Sequence, residues 1–548
     1  MLAHEMIEYK RLAIQHQLDA ARTQAERNKL GQFATPSELA MDMLEFARSL
    51  LPKDQRVRFL DPAVGTGSFL SALLRSFPAP RIASVAGYEI DPYYGHKAVE
   101  LWSDSPFDLR IADFTSATPP QAENEQANLL ICNPPYVRHH HLAGGEKLRL
   151  QELAKKTTGL RLSELAGLYC YFLCISHTWM QENGLAGWLI PSEFMDVNYG
   201  RQIKQYLLNQ VTLLRVHRFD PGEVQFQDAL VSSAVVWFRK ASLPENHTVE
   251  FTYGGTVSKP KVCRHIPIDV LNHTARWTKF PLNSIPAVLH SDRKQVRLSD
   301  LFDVKRGLVT GANDFFILTP EQMARYQLPQ EFLTPILPSP RFLSLDEIEG
   351  DSVGNPVLEQ RLFLLDCKLP EDELINYPTL AKYLQMGKES GVDKGYICRH
   401  RSPWYAQEER SPSRLLCTYM GRIGKERSNP FRFILNHSQA TVANVYLMLS
   451  PKPELQRVLK DDPELYRSIW KALNSIAPEV LIGEGRVYGG GLYKLEPGEL
   501  NASRQGLREN DTMGKRVWKN EEKEGTCDSP NHLTPIRSSD PYRVAPPV

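Results

Sequence analysis

Asn133, Pro134 and Tyr136 place two hydrogen-bond acceptors and an aromatic ring within the four residues Asn133-Pro134-Pro135-Tyr136. The apolar run Ala127–Cys132 directly before them predicts a buried strand, and open α/β sheets bind ligands at the carboxyl ends of strands. An asparagine oxygen and a carbonyl held by proline can both face one amino group, beside the plane of a tyrosine. The set suits a planar substrate with an exocyclic NH2 group, although an ordinary strand end with a capped turn uses the same residues.

Three earlier predicted strands also end in acidic residues: Arg56–Leu60 before Asp61, Ser84–Ile90 with Glu89, and Leu109–Ala112 before Asp113. Between the first two, Gly65 and Gly67 allow the backbone to pass close to a ligand. The dinucleotide fingerprint G-x-G-x-x-G is incomplete, since Leu70 occupies its third glycine position, which disfavours a nicotinamide cofactor. Glu89 follows the glycine turn by roughly 20 residues, the separation at which a ribose diol is usually bound.

Alternating strand and helix patterns supply the scaffold for these residues. The alternation predicts an α/β fold with a mostly parallel sheet and one antiparallel hairpin at its edge. Before the first strand, Gly31-Gln32-Phe33-Ala34-Thr35-Pro36 leads into a predicted helix over Ser37–Leu51, with Thr35 as its N-cap and Pro36 in its first turn. Residues Met1–Leu30 contain no helix breaker and predict one charged amphipathic helix.

Changes in composition along the chain predict five segments. They are an N-terminal helical segment (residues 1–30), a first, α/β domain (31–245), which the resemblance given below makes the catalytic domain, a connection in which the alternation is lost (246–295), a second, α+β domain (296–500), and a polar, proline-rich tail that predicts disorder (501–548).

The overall composition is that of a globular protein, with 42% hydrophobic and 24% charged residues and a formal net charge of +1 in 548 residues. Any nucleic-acid surface must therefore be a local basic patch. The 8 cysteines contain no C-x-x-C pair and predict reduced thiols without structural zinc. We predict no metal site at His139–His141 either, because adjacent histidines cannot all point at one ion. The richest apolar run, Leu165–Met180, predicts a buried helix and not a membrane span.

Basic residues beside glycines or aromatic residues mark possible contacts to phosphates or base edges. They lie after the NPPY stretch, at the start of the second domain, and between residues 394 and 432, where Trp404 and Tyr405 accompany them. Such clusters are often only solvated surface, but mixed with aromatic residues on a nearly neutral chain they favour a nucleic-acid face. The residues predicted to contact nucleic acid, which the resemblance given below specifies as DNA, are Arg138, Lys305, Arg306, Arg399, Arg401, Arg422 and Lys425.

Six motifs occur in a fixed order: GQFATP (31–36), DPAVGTGSF (61–69), GYEIDP (87–92), IADF (111–114), NPPY (133–136) and QFQDALVSSAVVWF (225–238). In order and spacing they resemble the amino-group DNA methyltransferases that act on adenine N6. The order is that of the γ arrangement, and the stretch from Val304 to Phe316 resembles the start of recognition domains in type II modification enzymes. The resemblance implies a Rossmann-like sheet of seven strands, a C-terminal target recognition domain, and S-adenosylmethionine as cofactor.

The resemblance also implies roles for individual residues. Those assigned to the cofactor are Thr35, Asp61, Ala63, Gly65, Gly67, Glu89, Ile90, Asp113, Phe114, Asn133 and Pro135. Those assigned to catalysis are Asn133, Pro134, Tyr136 and Phe226. In this reading Glu89 holds the ribose hydroxyls, Asp113 and Phe114 hold the cofactor's adenine, and Tyr136 and Phe226 contact a target base flipped out of double-stranded DNA.

The expected function is site-specific methylation that protects host DNA from a separate cognate endonuclease. We expect a monomer in the cytoplasm, associated with the nucleoid. Two alternatives stay open at this point: methylation of an RNA adenine or a protein glutamine, and a non-catalytic DNA-binding subunit. The roughly 300 residues after Trp237 disfavour the glutamine modifiers, which are much shorter, and the intact motif residues disfavour the non-catalytic subunit.

Overall fold

The computed structural model describes residues 2–220, 232–280, 297–424, 429–488 and 491–503. The chain divides into two compact units. The first unit comprises Met1–Asp292, Thr418–Arg432 and Ala477–Leu500, and the second comprises Arg293–Cys417, Phe433–Ile476 and Asn501–Val548. Two stretches that the sequence places in the second domain therefore fold with the first unit.

The described residues form these strands: β1 Val57–Asp61, β2 Ile82–Glu89, β3 Phe107–Ile111, β4 Ala127–Cys132, β5 Met180–Pro191, β6 Thr212–Arg218, β7 Ser233–Arg239, β8 Thr248–Gly255, β9 Pro260–Pro267, β10 Phe302–Arg306, β11 Ile317–Leu318, β12 Leu333–Ile336, β13 Glu347–Ile348, β14 Leu362–Leu365, β15 Leu415–Thr418, β16 Met420–Arg422, β17 Phe433–Asn436, β18 Tyr446–Pro451, β19 Arg486–Tyr488 and β20 Leu492–Lys494.

The α-helices of the same residues are α1 Leu2–Ala20, α2 Gln24–Leu30, α3 Ser37–Leu50, α4 Ser68–Ser76, α5 Pro92–Leu101, α6 Gly144–Thr158, α7 Leu168–Ile175, α8 Arg201–Asn209, α9 Ile268–Asn272, α10 Leu298–Leu301, α11 Asn313–Phe316, α12 Pro320–Tyr326, α13 Pro378–Glu389, α14 Pro453–Asp461, α15 Leu465–Asn474, α16 Pro478–Glu484 and α17 Pro497–Ala502. None of the helices in the described residues is both long and apolar enough to cross a membrane.

The first unit is built on one sheet with the strand order β3-β2-β1-β4-β5-β7-β6-β8-β9. Strands β1 to β5 are parallel to one another, and β7 runs antiparallel between β5 and β6. Side chains alternate between the two faces along each strand, so Leu60 and Leu130 pack in one core while Phe59 and Leu129 pack in the other. Helices cover both faces, which confirms the predicted α/β fold.

Two predictions about this sheet are wrong. It has nine strands and not seven, and residues 246–295 are not only a connection. Residues 248–267 form the β8–β9 hairpin, which extends the sheet to nine strands by pairing β8 in parallel with β6. The β6–β7 pair is therefore covered and does not form the edge of the sheet. In β8 the buried residues Val249 and Phe251 alternate with polar ones from Thr248 to Tyr253, so the pattern of a strand was present in the sequence and the prediction missed it.

Three predicted helices also differ from the structure. The predicted helix Met1–Leu30 is broken between α1 and α2, because Thr23 and Glu26 start a new helix: the Thr23 amide donates to the Glu26 carboxylate (2.8 Å) and the Glu26 amide to Thr23 Oγ1 (3.3 Å). Helix α3 has Pro36 as its N-cap and no side-chain cap, so Thr35 does not cap it. The long apolar run forms the short helix α7, a 3-10 turn and the start of β5.

The second unit contains a five-stranded sheet, in the order β10-β18-β15-β17-β13, and a three-stranded sheet, in the order β11-β14-β12. Trp404 and Tyr405 lie in its hydrophobic core, where they are 8% and 1% exposed. The aromatic residues that the sequence suggested for a nucleic-acid face are thus core residues. The tail predicted over residues 501–548 lies outside the described residues from residue 504 onward.

Thr418–Arg432 and Ala477–Leu500, the two later stretches that belong to the first unit, are called the returning stretches below. Their strands form a small sheet in the order β16-β20-β19. Arg276 ties this part of the chain to the earlier part of the unit through ion pairs to Glu484 (3.3 Å) and Glu499 (3.4 Å). The hydroxyl of Ser232 also donates to the Val487 carbonyl (3.0 Å).

Candidate active site

The parallel order β3-β2-β1-β4 brings the four predicted strand ends to one edge of the sheet. In the register, Asp61 pairs with Gly87, Glu89 pairs with Ile111, and Leu60 pairs with Leu130. The carboxyl ends of β1, β2, β3 and β4 therefore lie side by side. Asp61, Glu89, Asp113 and Asn133 follow or end these strands, as an α/β ligand site requires.

Asn133 is held by its amide nitrogen, which leaves its oxygen available. Nδ2 donates to the Phe33 carbonyl (2.8 Å) and to Thr35 Oγ1 (3.1 Å). Oδ1 is buried and has no hydrogen-bond partner among the described residues. An unpaired buried acceptor costs free energy, and it is the group expected to receive a donor from a substrate.

The turn between α2 and α3 lies directly against the NPPY stretch. The Tyr136 amide donates to the Gly31 carbonyl (3.2 Å). Gly31 has a φ of +66°, and a Cβ at this position would lie 2.4 Å from the Tyr136 nitrogen. Only glycine fits this close approach of two backbones, and the approach brings Thr35 to Asn133.

Tyr136 is only 8% exposed, and its hydroxyl donates to the Leu189 carbonyl in β5 (3.0 Å). Burial raises the pKa of this hydroxyl. The ring of Phe33 packs beside it with the ring centroids 5.7 Å apart. These contacts fix the plane of Tyr136 at the wall of a cavity that it helps to line.

The turn after β1 has an open backbone and a buried carboxyl. Asp61 Oδ1 accepts from the Ala63 amide (3.1 Å), whereas Oδ2 is buried without a partner in the described residues. Burial, with a smaller contribution from the charge of Glu89, raises the pKa of Asp61 to about 8. Gly65, at a φ of +57°, has no atom within 4 Å of the place a Cβ would take, so its backbone faces open space.

Glu89 links this turn to the end of β2. One carboxylate oxygen accepts from the Gly65 amide (2.9 Å) and the other from the Asp91 amide (2.9 Å). Burial raises the pKa of Glu89 even though these bonds lower it. Each oxygen keeps a second lone pair for a further donor. The next residue, Ile90, is 66% exposed, which makes its apolar side chain available to a planar ligand.

Asp113 and Phe114 are more deeply engaged than the sequence suggested. Asp113 caps the turn that follows β3 by accepting from the Thr115 amide (2.8 Å), and Arg149 of α6 pairs with it (3.3 Å). Phe114 is 1% exposed and packs against Trp179, with ring centroids 4.9 Å apart. Both residues lie at the predicted edge of the sheet. In the described residues, however, Asp113 already accepts hydrogen bonds from its neighbours and Phe114 is buried, so both have little left to offer a ligand.

A cavity of about 800 Å³ in the first unit opens beside the NPPY stretch. Tyr136, Arg138 and His139 line one side of it, and Tyr488 and Tyr493 of the small returning sheet line another. The sequence did not predict that the returning residues reach this cavity. No local pattern could have shown it, because the ion pair between Arg276 and Glu484 joins residues 208 positions apart.

The residues predicted to bind DNA fall into different environments. Arg138, Lys305, Arg399 and Arg422 are exposed, and Arg422 belongs to β16 in the first unit. Arg306 ends β10 and is partly buried. Arg401 instead donates to the carbonyls of Val309 and Thr310 and to Gln407 Oε1, which indicates that it stabilises a loop of the second unit. Phe226 and Lys425 lie outside the described residues.

Two family models match the chain. That of the Eco57I restriction-modification methylase matches residues 90–226, and that of the C-terminal domain of the type II methyltransferase M.Eco57I matches residues 274–512. The type II methyltransferase M.XamI of Xanthomonas campestris pv. amaranthicola is 26% identical over 484 residues, which cover 87% of this chain and 85% of that protein. M.AccI of Acinetobacter calcoaceticus is 25% identical over 500 residues, with the same coverage of 87% and 85%.

Among solved structures, the type IIL restriction-modification enzyme MmeI in complex with DNA covers 81% of this chain and 66% of its own, with a TM-score of 0.52 and 13% identity. At that identity the likeness concerns the fold. The sheet is that of an S-adenosylmethionine-dependent methyltransferase.

Within that class, the chain is similar over most of its length to the DNA methyltransferases of type II restriction-modification systems. The residues at the sheet edge fit the cofactor. The unpaired buried oxygen on Asp61, together with the open backbone at Gly65, suits a cationic sulfonium compound that carries hydroxyl and amino groups.

Proposed function

We propose that the protein transfers a methyl group from S-adenosylmethionine to N6 of an adenine flipped out of double-stranded DNA. The observation that carries this proposal is the buried, unpaired Oδ1 of Asn133, whose nitrogen is already bound to Phe33 and Thr35. An acceptor fixed in this way selects a substrate nitrogen that bears hydrogens. Adenine N6 is such a nitrogen, and it becomes accessible when the base leaves the duplex.

Asn133 and Pro134 act on the geometry of the amine. The N6 lone pair is delocalised into the ring and is a weak nucleophile, so two acceptors that draw its hydrogens out of the ring plane favour a more tetrahedral nitrogen. When bound, S-adenosylmethionine supplies a methyl carbon that leaves its sulfonium sulfur, giving S-adenosylhomocysteine. The two oxygens stabilise the positive charge that develops on N6, and N6 then loses one proton to solvent. Because the amine and its acceptors are held in place, positioning supplies much of the acceleration.

The cofactor contacts follow the strand ends. Thr35 and the turn Asp61–Gly67, including Ala63 and Gly65, hold the methionine part, and Glu89 with its free lone pairs accepts the ribose hydroxyls. Ile90 lies against the adenine of the cofactor, and Asp113 with Phe114 recognises its amino group and ring edge. Pro135 closes the side next to Asn133. The exposure of Ile90 and the unpaired Oδ2 of Asp61 support this arrangement.

The flipped base stacks on Tyr136, whose plane is fixed by its hydrogen bond to Leu189. Phe226, which the sequence predicts to contact the base from another side, lies outside the described residues. The cavity of about 800 Å³ beside Tyr136 is large enough for a nucleotide.

DNA contacts outside the base pocket come from basic residues that reach phosphates or base edges. They are the exposed Arg138, Lys305, Arg399 and Arg422, the partly buried Arg306, and Lys425, which lies outside the described residues. The methylation protects chromosomal DNA in the cytoplasm against a cognate endonuclease carried by a separate chain. The protein acts on the nucleoid as a monomer.

Mass spectrometry of digested nucleosides tests the proposal. Purified protein is incubated with unmodified double-stranded DNA and S-adenosylmethionine labelled with deuterium in its methyl group. We expect labelled N6-methyldeoxyadenosine at one sequence context, and far less label after the same reaction time with the Asn133→Ala variant. Label in a cytosine nucleoside, or label in RNA or peptide substrates with none in DNA, contradicts the proposal.

A further inference from the structure

The N-terminal helix α1 reaches the cofactor loop with polar side chains. Thr66 stands between Gly65 and Gly67, and its hydroxyl donates to Gln15 Oε1 (2.6 Å) while accepting from Arg11 Nη1 (3.1 Å). Gln15, Arg11 and Thr66 are all buried, with Arg11 only 1% exposed. On its other side the loop is closed by Trp102, whose Nε1 donates to the Thr66 carbonyl (3.0 Å).

Arg11 is itself held by a buried ion pair within α1. Its Nε and Nη2 donate to the two oxygens of Glu8 (2.8 and 2.7 Å), and Ser37 of α3 bonds to both partners. Burial alone would raise the pKa of Glu8, but the bonds from Arg11 and Ser37 lower it to about 2. A buried ion pair adds little net stability compared with apolar packing. Its presence here is better explained by the geometry it imposes on Thr66.

A second contact from the N-terminal region reaches the other half of the same site. Arg22, in the break between α1 and α2, donates to Asp91 Oδ2 (2.5 Å) and to Gln32 Oε1 (2.9 Å), and Gln32 donates to the same Asp91 oxygen (2.8 Å). Asp91 is the residue whose amide binds Glu89. The amides of Gly65 and Asp91, which both donate to the Glu89 carboxylate, thus belong to turns that the N-terminal region holds.

We propose that α1 is a positioning element for the cofactor, in which Arg11 and Gln15 hold the Gly65–Gly67 loop, through Thr66, in the form that binds S-adenosylmethionine. The sequence placed residues 1–30 outside the catalytic domain, and no motif marks these side chains. The proposal concerns the cofactor, so it holds whichever base receives the methyl group. Arg11 and Gln15 act through Thr66 and do not themselves touch the reacting atoms.

A double-mutant cycle separates positioning from general stability. The full chain is prepared as Gln15→Leu, Thr66→Val and the combined variant, with Thr158→Val as a matched control. Thr158 is a buried threonine of α6 whose hydroxyl donates to the Ala154 carbonyl (2.8 Å), so it undergoes the same chemical change in an element outside the loop. Binding of S-adenosylhomocysteine is measured by calorimetry, without turnover.

We expect each single variant on the Thr66 contact to bind S-adenosylhomocysteine about five- to tenfold more weakly, the loss typical of one hydrogen bond. The combined variant should bind no more weakly than Thr66→Val alone, and Thr158→Val should bind like the unaltered protein. In the protein free of cofactor, hydrogen exchange of a peptide that spans residues 61–69 should be faster in Gln15→Leu. Thr66→Ser keeps the hydroxyl that Thr66→Val removes, so it should bind S-adenosylhomocysteine as tightly, and exchange as slowly, as the unaltered protein.

Three results overturn the proposal. One is unchanged binding and unchanged exchange in Gln15→Leu, since α1 then has no influence on the loop. Another is an additive loss in the combined variant, because the two residues then act independently. The third is an equal loss of binding in Thr158→Val, which would assign the effect to global stability.

Discussion

At the scale of single residues, the site depends on which atom of each side chain is already bound. Asn133 uses its donor within the protein and keeps its acceptor, whereas the hydroxyl of Tyr136 is bound to the Leu189 carbonyl and only its ring remains for a substrate. The sequence predicted both residues because their types suit an amine and a planar base. It could not predict which atoms of the two side chains are bound within the protein, because their partners Phe33 and Leu189 come from segments distant in the chain.

Asp61 provides a pH test at this scale. Its folded pKa of about 8 lies above the ordinary value of 3.8, so its contribution to folding is fully present below pH 4 and is lost as the pH rises through 8. Between pH 5 and pH 8, the free energy of unfolding of the cofactor-free protein should therefore fall relative to Asp61→Asn, by on the order of 4 kcal/mol. Denaturant titrations of both proteins measure this, and parallel pH curves would show that Asp61 is ionised in the folded state.

At the scale of elements, the turn between α2 and α3 determines where the NPPY stretch lies. Its sequence predicted a helix capped by Thr35. In the structure Thr35 Oγ1 instead accepts a hydrogen bond from Asn133, and the helix begins without a side-chain cap. A threonine before a proline is a common cap, so the local pattern gave the position of the helix correctly and the partner of the hydroxyl wrongly. Such exchanges of a local partner for a distant one are typical of functional sites.

Gly31→Ala tests this turn. The added methyl group would meet the backbone of Tyr136 at 2.4 Å and would occupy a left-handed conformation. We expect a loss of about 2–4 kcal/mol in unfolding free energy, with a larger loss of methyl transfer because Thr35 and Asn133 separate. Gly159→Ala is the matched control: its φ is +70° but no atom lies within 4 Å, so it should lose only about 1 kcal/mol. Equal losses in the two variants would show that the close contact has no effect.

The elements themselves were predicted where the local pattern is strong. Strand β4 begins and ends as predicted, because all six of its residues are buried and form one continuous apolar run. The β8–β9 hairpin was missed because polar residues occupy much of β9, which lies at the edge of the sheet with an irregular burial pattern. The break between α1 and α2 depends on one pair of reciprocal bonds, which an otherwise helical composition conceals.

At the scale of the whole molecule, sequence order and spatial units do not coincide. The stretches Thr418–Arg432 and Ala477–Leu500 fold with the first unit, although the sequence assigned residues 296–500 to one recognition domain. Their anchors are ion pairs and backbone bonds between residues far apart in the chain, including those of Arg276 and Ser232. No composition shift marks these stretches, so a linear reading could not separate them from their neighbours.

A truncation tests this organisation. A chain that ends at Asp292 keeps the nine-stranded sheet but loses β16, β19 and β20, and it leaves Arg276 without Glu484 and Glu499. We expect its thermal unfolding midpoint to fall by several degrees, since the loss of a few kcal/mol has this effect in a unit of this size. A full-length chain with Arg276→Met should show part of the same shift. An unchanged midpoint in the truncated chain would show that the returning stretches are not part of the first unit.

The central claim is that the free oxygen of Asn133 prepares an adenine amine for methylation. Its most direct test is the single-turnover rate of N6 methylation on duplex DNA, measured for the unaltered protein, Asn133→Ala and Asn133→Asp. We predict that Asn133→Ala slows the step by about 100- to 1000-fold while calorimetry shows that S-adenosylhomocysteine and DNA still bind. Asn133→Asp keeps an acceptor and should retain more of the rate than the alanine variant. A rate for Asn133→Ala equal to that of the unaltered protein would contradict the account.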